Sequence, residues 1–287
     1  MVAGTAHAGA WTLKKGHLWI KSALLYQKTS DQYYSRNTPC PLGVNCTEGQ
    51  RVDFPFDGES ELTAVFVDVH YGLFDPLEIY LQVPFFDIQF TDLASPQRPG
   101  TSDIGDVRFG VKYRFLATPL VASLSVQAKA PTGFLNKDAE IIPVGDGQWD
   151  LELIGQFGKS LWPVQSYLNL DLGYRIRFAP ALETSSVEPG NEFFFRGEAG
   201  YNVLENLVVK FALSGLYGDP FKNHSFDTPF DIPESEREVL YVEPGISLQV
   251  VRGLAFETSV QVSVSGKNYL AGEVFNVGVS YKFSLLR

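Results

Sequence analysis

Apolar and polar residues alternate along most of this chain, and no other feature limits its fold as strongly. The clearest run spans residues 168–178, where each even-numbered residue is large and apolar and each odd-numbered residue is polar or glycine. Similar runs span residues 107–115, 120–129, 254–264 and 275–283. A period of two residues predicts β-strands, each with one apolar face.

About twelve such segments have the length that a tilted membrane strand needs. The predicted strands are residues 14–28, 60–72, 78–91, 104–116, 120–131, 148–160, 165–178, 192–203, 207–217, 238–250, 254–265 and 272–284. Short and long connections alternate between them, as the periplasmic turns and extracellular loops of outer-membrane barrels do. The prediction is therefore an all-β fold, a single transmembrane antiparallel up-and-down β-barrel over residues 14–284, in the bacterial outer membrane with periplasmic termini. Near Pro84 the apolar parity changes, so a register shift is expected there.

Composition and charge exclude several other classes. With 45% hydrophobic residues among 287, the chain is too apolar to be disordered. A net charge of −10 argues against a nucleic-acid partner, which needs clustered Lys and Arg. The longest stretch without a charged residue runs from Phe115 to Ala128, shorter than the roughly 20 apolar residues of a membrane helix.

Both ends of the chain carry marks of export. Ala6-His7-Ala8 fits a signal-peptidase site, so residues 1–13 are interpreted as a signal-peptide remnant, lying in the periplasm or in the lumen. The last strand, residues 278–283, resembles the C-terminal signal that the barrel-assembly machinery reads. The expected partners are that machinery, outer-membrane lipid and lipopolysaccharide, and a small-molecule solute. Aromatic residues at strand ends predict interfacial girdles, namely Tyr71, Phe74, Phe115, Trp162, Tyr201 and Phe283.

The longest predicted extracellular loop, residues 29–59, contains both cysteines. Cys40 and Cys46 lie in a segment rich in Pro and Gly, which favours a disulfide in an oxidising compartment over a metal site. This loop either folds into the lumen or caps the barrel.

Two patches resemble one known barrel family. Residues 71–78 (Tyr-Gly-Leu-Phe-Asp-Pro-Leu-Glu), followed by 81–84 (Leu-Gln-Val-Pro), look like its first hairpin turn. Residues 129–133 (Lys-Ala-Pro-Thr-Gly) and 145–150 (Gly-Asp-Gly-Gln-Trp-Asp) resemble its central strand–loop–strand signature, with Asp146 where the family usually has a small hydroxyl residue. The family is the outer-membrane transporters named "MetA-pathway of phenol degradation". The resemblance implies passage of small molecules, hydrophobic or aromatic compounds among them.

The strand parity directs charged side chains into the predicted lumen. Strands four and five contribute a basic wall, namely Arg108, Lys112, Arg114 and Lys129, and the following strands an acidic wall, namely Asp150, Glu152 and Asp171. Further lumen residues are Arg175, Arg177, Arg196 and Glu198. A basic wall that faces an acidic wall gives a transverse field, as at a channel constriction, and walls of charge set the selectivity of pores. The alternative is a polar core that fills a narrow barrel, since about twelve strands lie between filled and open sizes.

These residues lead to one expected function and two alternatives. The expected function is passive diffusion of small molecules through a charge-lined lumen, with no cofactor and no nucleotide-binding motif. One alternative is a filled or plugged structural barrel whose loops bind a partner. The second is an outer-membrane hydrolase, which needs a Ser–His pair that the strand pattern does not supply, so no catalytic residue is predicted. His17 and His70 are two inward imidazoles, too few for a predicted metal site.

Overall fold

The computed structural model describes residues 9–35, 45–94, 100–133, 144–178, 187–220, 222–223 and 236–285. Twelve antiparallel strands form the barrel, and their bounds lie close to the predicted segments. They are β1 (His17–Thr29), β2 (Glu59–Phe74), β3 (Leu77–Thr91), β4 (Val107–Leu116), β5 (Val121–Ala130), β6 (Asp150–Ser160), β7 (Ser166–Arg177), β8 (Glu192–Leu204), β9 (Leu207–Gly218), β10 (Arg237–Val251), β11 (Leu254–Lys267) and β12 (Glu273–Ser284). This confirms the predicted fold class.

The sheet closes on itself. Each strand pairs with its neighbours in chain order, and β12 pairs with β1 from His17↔Ser284 to Gln27↔Val274. Closure pairs the backbone groups of both edge strands, which is the condition for a sheet to lie in lipid. Among the described residues, no helix is long and apolar enough to cross a membrane.

The outer surface of the barrel is apolar. Leu168, Leu170 and Leu172 on β7 are 47, 40 and 38% exposed, while Asn169 between them is buried. Exposed aromatic residues lie near the short-turn ends of the strands, namely Phe74, Tyr113, Phe115, Trp162, Tyr201 and Tyr281. Others lie near the long-loop ends, namely Trp149, Tyr174, Phe178, Phe193, Tyr217 and Phe275. An apolar band between two aromatic girdles is the exterior of an outer-membrane barrel, with the short turns on the periplasmic side.

Small elements extend the long-loop end, which is therefore the extracellular one. Asp31–Tyr33, Arg51–Asp53 and Tyr269–Leu270 form a three-stranded sheet, and a 3-10 turn covers Pro55–Asp57. Val187–Glu188 pairs with Lys222–Asn223. The predicted Cys40–Cys46 disulfide stays a prediction, because Cys40 lies outside the described residues.

The expected register shift near Pro84 occurs on one side of β3 only, where Gln82 pairs with Arg108 but Phe85 with Ile104, one residue out of register. β2 and β3 stay in register from Glu59↔Thr91 to Gly72↔Glu78, with Phe66 opposite Pro84. The other neighbour of β3 changes instead, because β4 pairs with it up to Gln82 and the short strand Thr101–Ile104 pairs with it from Phe85. Pro84 lies at this change of partner, where its missing N–H removes no ladder hydrogen bond on that side.

Candidate functional site in the barrel lumen

The periplasmic half of the lumen contains the segment of residues 9–13, here called the N-terminal plug. Ala10 and Leu13 are fully buried. The plug packs closely on the wall, since a Cβ added at Gly158 would come within 2.7 Å of the Trp11 ring. Glycine at this inward position of β6 therefore leaves the space that the indole occupies. Where the plug ends, the backbone N–H of Gly16 donates to Gly72 O at 2.8 Å.

Polar contacts from the wall hold the plug. The backbone N–H of Leu13 donates to Glu78 Oε2 at 2.8 Å, and Lys112 Nζ donates to Gly9 O at 3.3 Å. Ser123 Oγ donates to Ala10 O. These three wall residues lie on β3, β4 and β5, so the plug lies against one side of the barrel.

Glu78 is the centre of this arrangement. Its carboxylate is fully buried and accepts from Leu13, and it lies 3.1 Å from Lys112 Nζ and 2.8 Å from His70 Nδ1. The His70 ring stacks on Tyr80 and meets Trp19 edge-on. A buried carboxylate needs this many partners, because it is costly to take it from water unpaired.

The two predicted walls are neighbours in the sheet rather than opposite sides of the lumen. Lys129 on β5 lies directly opposite Asp150 on β6, and their charged atoms are 2.9 Å apart. Lys129 also lies 3.2 Å from Asp106. Opposite charges at paired positions of adjacent strands attract each other, and here they form ion pairs along the wall.

The same register continues this network across β7 and β8. Arg175 lies opposite both Glu152 and Glu192, and its Nε is 2.7 Å from Glu152 Oε1. Arg177 lies 3.3 Å from Glu192 and 3.7 Å from Asp150. On the loop before β6, burial acts to raise the pKa of Asp146, but Lys129 and Arg177 outweigh it and hold that pKa below its usual range.

A second group of ion pairs lies across the lumen from the plug. Arg196 on β8 lies 2.6 Å from Glu243 and 3.2 Å from Glu198. Glu257 on β11 accepts from Lys210 at 2.9 Å and from Lys21 at 3.3 Å.

The remaining predicted lumen residues have separate surroundings. Asp171 accepts from Gln156 at 3.4 Å, and Arg114 Nη2 donates to Asp75 O at 3.3 Å near a periplasmic turn. Arg108 lies in the wall of the large cavity. His17 Nδ1 lies 3.3 Å from Lys15 O, so the two predicted imidazoles have different partners. The described residues contain no group of three or more His, Cys, Asp or Glu that could hold a metal.

Sequence reasoning missed three carboxylates, those of Glu78, Glu192 and Asp106. The first two follow the parity of their strands and a stricter count would have found them, since Glu78 alternates with the outward Ile79 and Leu81. Asp106 precedes β4 in the structure, but it lies within the predicted strand 104–116 at the parity of Arg108, so the same count would have found it as well.

Two cavities that are lined by described residues lie in the rest of the lumen. The larger, about 1080 Å³, lies in the extracellular half between the barrel wall and the three-stranded sheet. The smaller, about 350 Å³, is lined by β1 and β8–β12, the strands that do not hold the plug. Arg196 and Gln261 line both cavities, so the free space extends beside the plug.

No family model matches the chain, and no curated protein is significantly similar to it in sequence. The fold is similar to that of a COG4313 outer-membrane channel from Pseudomonas putida F1, with a TM-score of 0.73 and 15% identity over 96% of this chain and 98% of that one. The NanC porin has a TM-score of 0.51 and 7% identity, over 92% of this chain and 100% of the porin chain. The translocator domain of the autotransporter NalP from Neisseria meningitidis has a TM-score of 0.50 and 11% identity, over 98% of this chain and 91% of that domain. Because one fold includes channels and a translocator domain, function has to be argued from the lumen.

Proposed function

We propose that the protein is an outer-membrane channel for passive diffusion of small molecules, with hydrophobic and aromatic compounds among its solutes. The observation that carries this proposal is the pair of adjoining cavities, which extends from the extracellular sheet to the side of the plug. A barrel that serves only as a structural wall has no need for such a space, and a lumen of this size accepts a small organic molecule.

The lining of the larger cavity supports the solute class. Leu25, Leu62, Ile154 and Phe194 line it together with arginines and carboxylates. A surface of this kind binds the apolar body of a solute and orients it by a few polar groups. The resemblance of two sequence patches to the transporter family "MetA-pathway of phenol degradation" agrees with this class. The proposal gives the barrel no enzymatic activity and no cofactor.

The plug favours one alternative, a filled barrel whose extracellular loops bind a partner. A planar-bilayer experiment at several salt concentrations separates the two functions. The channel proposal expects discrete conductance steps from the intact protein and uptake of a small phenol by proteoliposomes. The filled barrel would be favoured if neither the intact protein nor a variant without residues 1–13 conducts, with folding of both shown by heat-modifiable gel migration.

A further inference from the structure

The large cavity has an uneven charge balance. Four arginines and two carboxylates line it, whereas the whole chain has a net charge of −10. Three of the arginines have a carboxylate within 4 Å: Arg175–Glu152 at 2.7 Å, Arg196–Glu243 at 2.6 Å and Arg237–Glu192 at 3.7 Å. The fourth, Arg108, has neither an ion pair nor a side-chain hydrogen bond with any residue that the structure describes.

The register explains why Arg108 has no counter-ion in the wall. Its directly paired neighbours are Gln82 on β3 and Lys129 on β5. Gln82 donates its amide to Asp68 at 2.7 Å, and Lys129 is another cation, already paired with Asp150. A guanidinium removed from bulk water without a counter-ion is unfavourable, and its planar fork matches a carboxylate.

The carboxylates that line the cavity do not favour a cationic solute. Glu152 is paired with Arg175. Asp171 accepts from Gln156 and lies directly opposite Arg196 on β8, although the ion pairs of Arg196 are with Glu243 and Glu198. Asp171 therefore has a cation opposite it in the sheet, whereas Arg108 has only Gln82 and another cation. Aliphatic and aromatic side chains form much of the rest of the lining.

We propose that the cavity binds amphiphilic carboxylates, an aryl or alkyl body with one acid group, and that Arg108 is the anchor of the acid group. This inference rests on the proposed function and names the solute class of the same lumen. The carboxylate accepts two hydrogen bonds from the guanidinium, and the body of the solute packs on residues such as Leu62 and Ile154.

The test compares one acid with its uncharged analogue. Binding of 4-phenylbutyrate and of 4-phenylbutyramide to the detergent-solubilised full-length protein is measured by calorimetry. The variants are Arg108→Gln and, as a matched control, Arg252→Gln, which removes the same charge from an exposed periplasmic turn. The wild type and Arg252→Gln should bind the acid about ten-fold more tightly than the amide. Arg108→Gln should bring that ratio close to one without changing the affinity for the amide.

A second variant protects the test against misfolding. Arg108→Lys keeps the charge and loses the fork, so its ratio should be intermediate. An undiminished preference for the acid in Arg108→Gln, or no preference in the wild type, would overturn the role of Arg108. Amide binding in that case would leave the proposed function standing. A wild type that binds neither compound, while folded, would contradict the proposed function as well.

Discussion

The periplasmic half of the lumen is filled by residues 9–13, whereas the extracellular half holds a cavity of about 1080 Å³. The two halves of the lumen are enclosed by the same barrel wall and differ in what fills them. The cavity is bordered by ion pairs between strands, such as Arg175 with Glu152, which are part of the wall. The plug precedes the first barrel strand, has no strand pairing, and is held by a few hydrogen bonds, including Leu13 to Glu78.

This difference indicates which part of the lumen can change. Displacing the plug breaks a limited set of contacts and leaves every strand pairing intact. Rearranging the cavity wall would separate buried charges, which costs several kcal/mol for each ion. We therefore expect substitutions at the plug to alter conductance and substitutions in the wall to alter stability.

Removal of residues 1–13 should have the largest effect. Without the plug, the smaller cavity and the space of residues 9–13 merge into one passage, so single-channel conductance should rise several-fold over the intact protein. The measurement is a planar-bilayer recording at equal salt on both sides. Equal conductance of the two proteins would show that residues 9–13 do not limit the passage.

Substitution of Glu78 should have a smaller effect of the same kind. Glu78→Gln weakens the acceptor of the Leu13 N–H and removes the negative charge beside Lys112. We expect brief openings to the level of the deletion variant, visible as added current noise. Glu257→Gln is the matched control, because Glu257 also has two cationic partners but lines the cavity on the other side. Equal noise in both variants would count against a specific role of Glu78.

Substitutions of the ion-paired residues in the barrel wall should lower the free energy of unfolding. Arg175→Gln leaves the Glu152 carboxylate, which is only 2% exposed, without an ion pair among the described residues. Glu192, equally buried, keeps Arg177 at 3.3 Å and Arg237 at 3.7 Å. Breaking a buried pair in this way costs about 3–5 kcal/mol in the free energy of unfolding. Arg196→Gln should cost clearly less, because the Arg196 side chain is 36% exposed to the cavity. Urea unfolding in detergent, followed by Trp fluorescence, compares them, and an equal loss would contradict this difference between the two groups of ion pairs.

The sequence predicted the wall of the barrel better than its contents. All twelve strands follow from the alternation, because lipid on one side and a polar lumen on the other enforce it at nearly every position. The largest differences are at two strand starts, residue 17 rather than 14 for β1 and 107 rather than 104 for β4. At the start of β1, residues 9–13 form the plug and residues 14–16 connect it to the strand. At the second, Thr101–Ile104 forms its own short strand beside β3.

The candidate site was predicted by residue and not by geometry. Parity alone gives the side of the sheet on which a charge lies, but pairing depends on the register between strands, which follows from turn geometry and closure. The neighbouring positions of Lys129 and Asp150 therefore could not be derived from period two. For the same reason the isolation of Arg108 depends on which residues face it on β3 and β5.

The smallest expected effect concerns ion selectivity in the cavity. Asp171 lines this space and has Gln156 as its hydrogen-bond donor at 3.4 Å. Asp171→Asn removes a negative charge from a lining that already has more arginines than carboxylates, so the reversal potential in a salt gradient should shift modestly toward anions. Glu205→Gln removes the same charge at an exposed periplasmic turn and should leave the potential unchanged. The shift should persist in the protein that lacks residues 1–13, because Asp171 would act in the cavity and not through the plug. If the shift is absent from the protein without residues 1–13, ion selectivity is set where the plug narrows the lumen. The periplasmic half, and not the extracellular cavity, would then select the ions.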